Sequence, residues 1–105
     1  MELTSKQRAY LKGLAMTIDP IFNIGKASLT PEFTESINQT FNNKELIKIS
    51  VLKNCIDDPR EIANVLADRT GSTVVQVIGK KIVLYKPAKD EKDRKIVLPK
   101  VKKNS

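Results

Sequence analysis

Val74-Val75-Gln76-Val77-Ile78-Gly79-Lys80-Lys81-Ile82-Val83-Leu84-Tyr85-Lys86 is the stretch on which the architecture turns. Two runs rich in β-branched residues flank Gly79-Lys80, a two-residue link with glycine where a type II′ hairpin turn requires it. Upstream, Glu45–Leu52 sets Ile47, Ile49 and Val51 on one face and Lys48 and Ser50 on the other, the alternation of a half-buried strand. Between these segments, Asp58-Pro59-Arg60-Glu61 supplies an N-cap, a first-turn proline and an acid at the reciprocal capping position. Ile62, Val65 and Leu66 continue that helix until Thr70-Gly71, where glycine is a natural stop.

Further back, Thr30-Pro31-Glu32 opens a helix whose buried stripe is Phe33, Ile37 and Phe41 and whose end is Asn42-Asn43. Ile21-Phe22-Asn23-Ile24 reads as a short strand. Thr4 caps a first helix that runs to about Ala15, with Leu3, Leu11, Leu14 and Ala15 apolar and Asp19-Pro20 beyond its end. The order is α-β-α-β-α-β-β. Crossover-length helices followed by a hairpin give a single compact α/β domain over residues 1–86, with a four-stranded mixed sheet packed by helices.

Charge is distributed unevenly. The 105 residues carry 19 Lys and Arg against 12 Asp and Glu, a net +7 that favours a polyanionic partner, nucleic acid first. Residues 87–105 hold seven basic and three acidic side chains and a single small apolar cluster, Ile96, Val97, Leu98 and Val101. Too few apolar residues for a core make this segment an expected flexible basic tail. There is no His and one cysteine, Cys55, which excludes His-based acid–base chemistry, a Cys–His nucleophile, the usual zinc ligand sets and an internal disulfide. No cofactor, metal or small-molecule substrate is expected. Neither a signal-peptide apolar core nor a membrane-spanning run of about 18 apolar residues is present, so the expectation is a soluble cytoplasmic protein.

Gly25-Lys26-Ala27-Ser28, between a strand and the helix start at Thr30, is a candidate phosphate site, because backbone N–H groups and the helix dipole attract anions there. No glycine lies between Gly13 and Gly25, so this is not a Walker A loop. Lys6, Arg8 and Lys12 on the first helix, Lys48 on a strand, and Lys80 and Lys81 at the hairpin tip are further candidate cations. Five aromatic residues are too few for the stacking signature of an RRM sheet, and Cys55 has no flanking cation to activate it.

Four separated blocks, Leu3–Lys12, Ile24–Thr30, Glu45–Lys48 and Val77–Lys86, occur in the order found in the YhbY-like proteins, which residues 2–87 resemble. These are stand-alone bacterial versions of the CRM domain, the chloroplast RNA splicing and ribosome maturation module. The resemblance implies a fold similar to the C-terminal domain of translation initiation factor three. It also implies RNA binding and association with precursors of the large ribosomal subunit. The family's G-x-x-G loop maps onto Gly25, Lys26, Ala27 and Ser28, with Ser28 in place of the second glycine, where a side chain limits positive φ. The expectation is thus a non-enzymatic, monomeric protein that binds ribosomal RNA and assists large-subunit assembly. The rival reading is a protein-binding adaptor with little direct RNA contact.

Overall fold

The computed structural model describes residues 1–100; Val101 and residues 102–105 of the expected tail lie outside them. The hairpin comprises β3 (Thr73–Ile78) and β4 (Lys81–Tyr85), and Gly79 at its tip has φ +54°. β4 lies between β3 and β2 (Leu46–Val51), antiparallel to both, and β1 (Phe22–Ile24) adds in parallel to the far side of β2. The expected element order is therefore realised, with a sheet order β1-β2-β4-β3.

Three helices cover the sheet. α2 (Pro31–Thr40) joins β1 to β2, and α3 (Pro59–Thr70) joins β2 to β3. Ile37 and Phe41, with Ile62, Ala63 and Leu66 of α3, meet Ile24, Ile47, Ile49, Ile82 and Leu84 in the larger core. Phe33 stands at its margin, edge-on to Phe22 at 5.6 Å. α1 (Ser5–Ala15) covers the opposite face, where Leu11 and Ala15 pack on Val75, Val83 and Tyr85. Burial and the nearby Glu45 carboxylate raise the Tyr85 pKa, which keeps the phenol neutral in this core.

The caps follow the sequence with one exception. Thr4 and Gln7 form a complete capping box, Thr30 Oγ1 accepts from Phe33 N, and Gly71 closes α3 at φ +68°. At α3 the Asp58 carboxylate accepts from Arg60 N at 3.1 Å, whereas the reciprocal bond expected from Glu61 is not formed. Accepting at N2 instead of N3 leaves the box open.

The C-terminal segment departs from expectation. Residues 88–99, expected to be a mobile arm, turn back onto the body through a single acid. The carboxylate of Glu45, just before β2, accepts from Ala88 N at 3.0 Å, Lys95 N at 2.7 Å and Ile96 N at 2.9 Å. Ile96 and Leu98 then pack on the α1-side core, and Gln7 Nε2 donates to Pro99 O. The apolar pattern flagged Ile96 and Leu98 but not where they pack, because the three peptide N–H groups that position them on Glu45 carry no sequence signal.

Burial by itself would raise the Glu45 pKa, but the three N–H donors and the Arg94 charge outweigh it and hold the carboxyl below its ordinary value. A depressed folded-state pKa stabilises fully above the ordinary carboxylate range, and the benefit is lost as pH falls through the folded value. Glu45→Ala should therefore lower stability by about 1–3 kcal/mol. It should also abolish hydrogen-exchange protection at Lys95 and Ile96. The unsubstituted protein should retain that protection near neutrality and lose it in acid.

Candidate nucleic-acid interface

β1 and β2 run parallel, so both finish at the same end of the sheet, and each hands over through a loop to the N-terminus of a helix. Carboxyl ends of adjacent parallel strands are where such sheets place ligand-binding loops. The hairpin tip comes to the same end: Val51 N donates to Lys80 O at 2.7 Å, and Leu52 N donates to Ile24 O at 2.7 Å. Gly25-Lys26, Leu52-Lys53 and Lys80-Lys81 thereby become neighbours.

The Gly25–Ser28 loop is a tight turn, with Ser28 N donating to Gly25 O at 2.9 Å. The β2–α3 loop braces it at both ends. A Cβ on Gly25 would stand 3.2 Å from Asn54 Oδ1 and 3.6 Å from Leu52 Cδ1, so the absence of a side chain lets the two loops approach closely. At the other end the Ser28 hydroxyl donates to the Asp57 carboxylate, and Cys55 Sγ lies 3.8 Å from Ser28 Oγ.

Ser28 adopts the positive φ that a side chain was expected to limit. Its φ is +53°, a left-handed conformation found at no other non-glycine among the described residues. Ser28 thus holds the kind of backbone conformation that the missing glycine would adopt freely, and the Asp57 bond helps offset the strain.

The candidate cations divide by what their charged ends touch. Lys26, Lys80, Lys6 and Lys12 are exposed. Lys81 Nζ donates to Ser50 Oγ at 2.8 Å, lying along the sheet beside the hairpin tip. Arg8 and Lys48 are reassigned from surface to scaffold. The Arg8 guanidinium donates to Val74 O at 2.7 Å and Val75 O at 2.6 Å, where a bulge interrupts the β3 ladder. Lys48 Nζ donates to Ala15 O at 3.2 Å and Ile18 O at 3.4 Å, at the C-terminal end of α1.

Nor do the exposed cations all share one patch. α1 begins beside the start of β3, where Thr73 Oγ1 meets Met1 O, which places Lys6 at the opposite end of the sheet from Gly25. Lys12 instead joins Arg60 in a cleft of about 360 Å³ along the β3 edge. Lys53 and Arg60 are the cations that sequence reasoning missed. Their signal was position, since both flank the Asp58-Pro59 helix start just as Lys26 precedes Thr30-Pro31. Ala27 is exposed at the loop tip, while the Thr30 hydroxyl is committed to its helix. The resulting surface runs from Lys26 through Lys53 and Lys80 and lies where anions would meet two helix N-termini. Among the described residues there is no cluster of three or more His, Cys, Asp or Glu able to hold a metal ion.

Comparison with known proteins is consistent across sequence and structure. The model of the CRS1/YhbY (CRM) domain matches residues 3–86. The Bacillus subtilis (strain 168) protein named Probable RNA-binding protein YqeI is 40% identical over 90 residues, covering 86% of this chain and 94% of the relative. A Haemophilus influenzae protein named RNA-binding protein is 35% identical over 90 residues, 86% of this chain and 91% of its own length. The solution structure of hypothetical protein SAV1595 from Staphylococcus aureus superposes with a TM-score of 0.76 at 46% identity, covering 93% of this chain and 100% of that one.

Two stability measurements check these assignments. Lys48→Met should lower stability by about 1–2 kcal/mol through its two lost carbonyl contacts. Ser28→Val, with a branched Cβ at positive φ, should lose about 1–3 kcal/mol, while Ser28→Gly should stay within about 1 kcal/mol of the unsubstituted chain. Denaturant melts of the three variants read both.

Proposed function

The chain belongs to the CRS1/YhbY (CRM) domain family, and from that premise we propose that it is a non-enzymatic RNA-binding protein. It docks the Gly25–Ser28 loop and the neighbouring lysines on ribosomal RNA in precursors of the large ribosomal subunit, and so assists their assembly in the cytoplasm. The observation that carries this reading is the convergence of Lys26, Lys53 and Lys80 at the one end of the sheet where two helices begin. Separate lysines on a fixed frame suit phosphate and shape recognition, which needs charge at set spacings and no enclosed pocket. The ribosomal destination rests on the family resemblance of the four sequence blocks. Among the described residues no helix is long and apolar enough to cross a membrane.

The basic residues after Lys86 add general attraction. Lys89, Lys92 and Lys95 are exposed along the strap that Glu45 holds, so they contribute field without being placed at the loop.

The test is Lys26→Glu titrated with a folded fragment of large-subunit RNA at several salt concentrations. Lys26 is exposed, so the variant should melt as the unsubstituted protein does. Its affinity should fall by about tenfold, and the slope of log affinity against log salt should flatten by about one unit as a phosphate contact is lost. Unchanged affinity would retire the loop as the contact. A flat salt slope in the unsubstituted protein would favour the adaptor reading.

A further inference from the structure

Resting on the RNA-binding reading, we propose that the β2–α3 loop, residues 52–57, is the second half of the interface and that its ligand is an unpaired RNA segment. Leu52 and Ile56 are 42% and 91% exposed, and both lie on the loop that braces Gly25 and Ser28. A lone exposed aliphatic is ordinary, but Leu52 and Ile56 share one loop with Lys53, and that loop braces the one carrying Lys26, so apolar and cationic side chains are offered together.

That pairing of chemistries fits one state of RNA. A continuous duplex stacks its base faces away and presents phosphates and sugar edges, which give an exposed isoleucine nothing apolar to cover. An unpaired nucleotide offers a base face that can lie on an aliphatic side chain while its flanking phosphates meet the lysines. Phe22 and Phe33 are half-buried against each other, so the aliphatics stand where aromatic stackers serve in other RNA-binding surfaces.

The acids beside the site gather on the α3 side of the Gly25–Ser28 loop: Asp57 accepts from Ser28, Asp58 caps α3, and Glu61 lines a cleft with Ala27, Ser28 and Asp57. They leave the Lys26–Lys53–Lys80 side as the attractive path for a single backbone. The Gly25–Asn54 approach and the Ser28–Asp57 bond fix the two loops relative to each other, so the apolar and cationic parts are presented as one frame.

The full chain and its Ile56→Ser and Lys53→Ala variants are titrated with two RNAs of equal nucleotide number, a hairpin with an unpaired loop and a blunt duplex. The unsubstituted protein should prefer the hairpin. Ile56→Ser should weaken hairpin binding by about 3- to 10-fold and leave duplex binding and the melting temperature unchanged. Lys53→Ala should weaken both and flatten both salt slopes. Equal affinity of the unsubstituted chain for the two RNAs would overturn the inference while leaving RNA binding intact. So would an Ile56→Ser variant indistinguishable from it, which would assign the aliphatics to a protein partner. Failure to bind either RNA would remove the underlying reading as well.

Discussion

Everything in this molecule is arranged around a strand that must be buried on both faces. Ile82 and Leu84 of β4 point into the α2–α3 core, and Val83 and Tyr85 point into the α1 core; all four are almost fully inaccessible to water. Such a strand cannot sit at an edge, so it lies between β2 and β3 with its polar backbone groups paired on each side. The two-residue hairpin sends β3 to one flank, and β2 must take the other. Once β4 is central, helices are needed on both faces, and the three that the sequence provides divide two to one.

The same constraint places the proposed interface. With β2 and β4 antiparallel, the end of β2 meets the start of β4, so Leu52-Lys53 and Lys80-Lys81 are brought together by register alone. β1, parallel to β2, delivers Gly25-Lys26 to the same place. Loops carrying cations far apart in the chain come together without those cations contributing to the core, so the proposed binding surface makes no demand on folding. Arg8 and Lys48 show the opposite use of charge, satisfying a bulge and a helix end.

The fold was legible because its signals are local and periodic: the Gly79 turn, the alternation of Ile47, Ile49 and Val51, and the Thr30-Pro31 and Asp58-Pro59 starts each specify a backbone state by themselves. Of the proposed interface, the turn at Gly25-Lys26 was legible in the sequence and the rest only in part. Exposed Lys26 and structural Lys48 are indistinguishable as letters; only the neighbouring carbonyls of Ala15 and Ile18 separate them. Lys53 and Arg60 carried only the positional signal of the Asp58-Pro59 start, and Asn54 stayed hidden because its approach to Gly25 depends on which strands pair, a property not carried by composition. The Glu45 strap was equally hidden, since its partners are main-chain N–H groups.

The position of α1 bears on how the domain is made. Its residues are synthesised before the sheet they join, yet Leu11 and Ala15 pack on Val75, Val83 and Tyr85, which follow α2, β2 and α3 in the chain, and Arg8 waits for the carbonyls of Val74 and Val75. Until the hairpin is synthesised, α1 has only Leu46 and Lys48 of β2 to meet and lacks Val75, Val83 and Tyr85, whereas β1, α2 and β2 are close in sequence and have each other as partners. Closing so long a loop is entropically demanding and favours late docking. Folding during synthesis would then proceed from the α2 side outward, with α1, made before α2 and α3, docking after them.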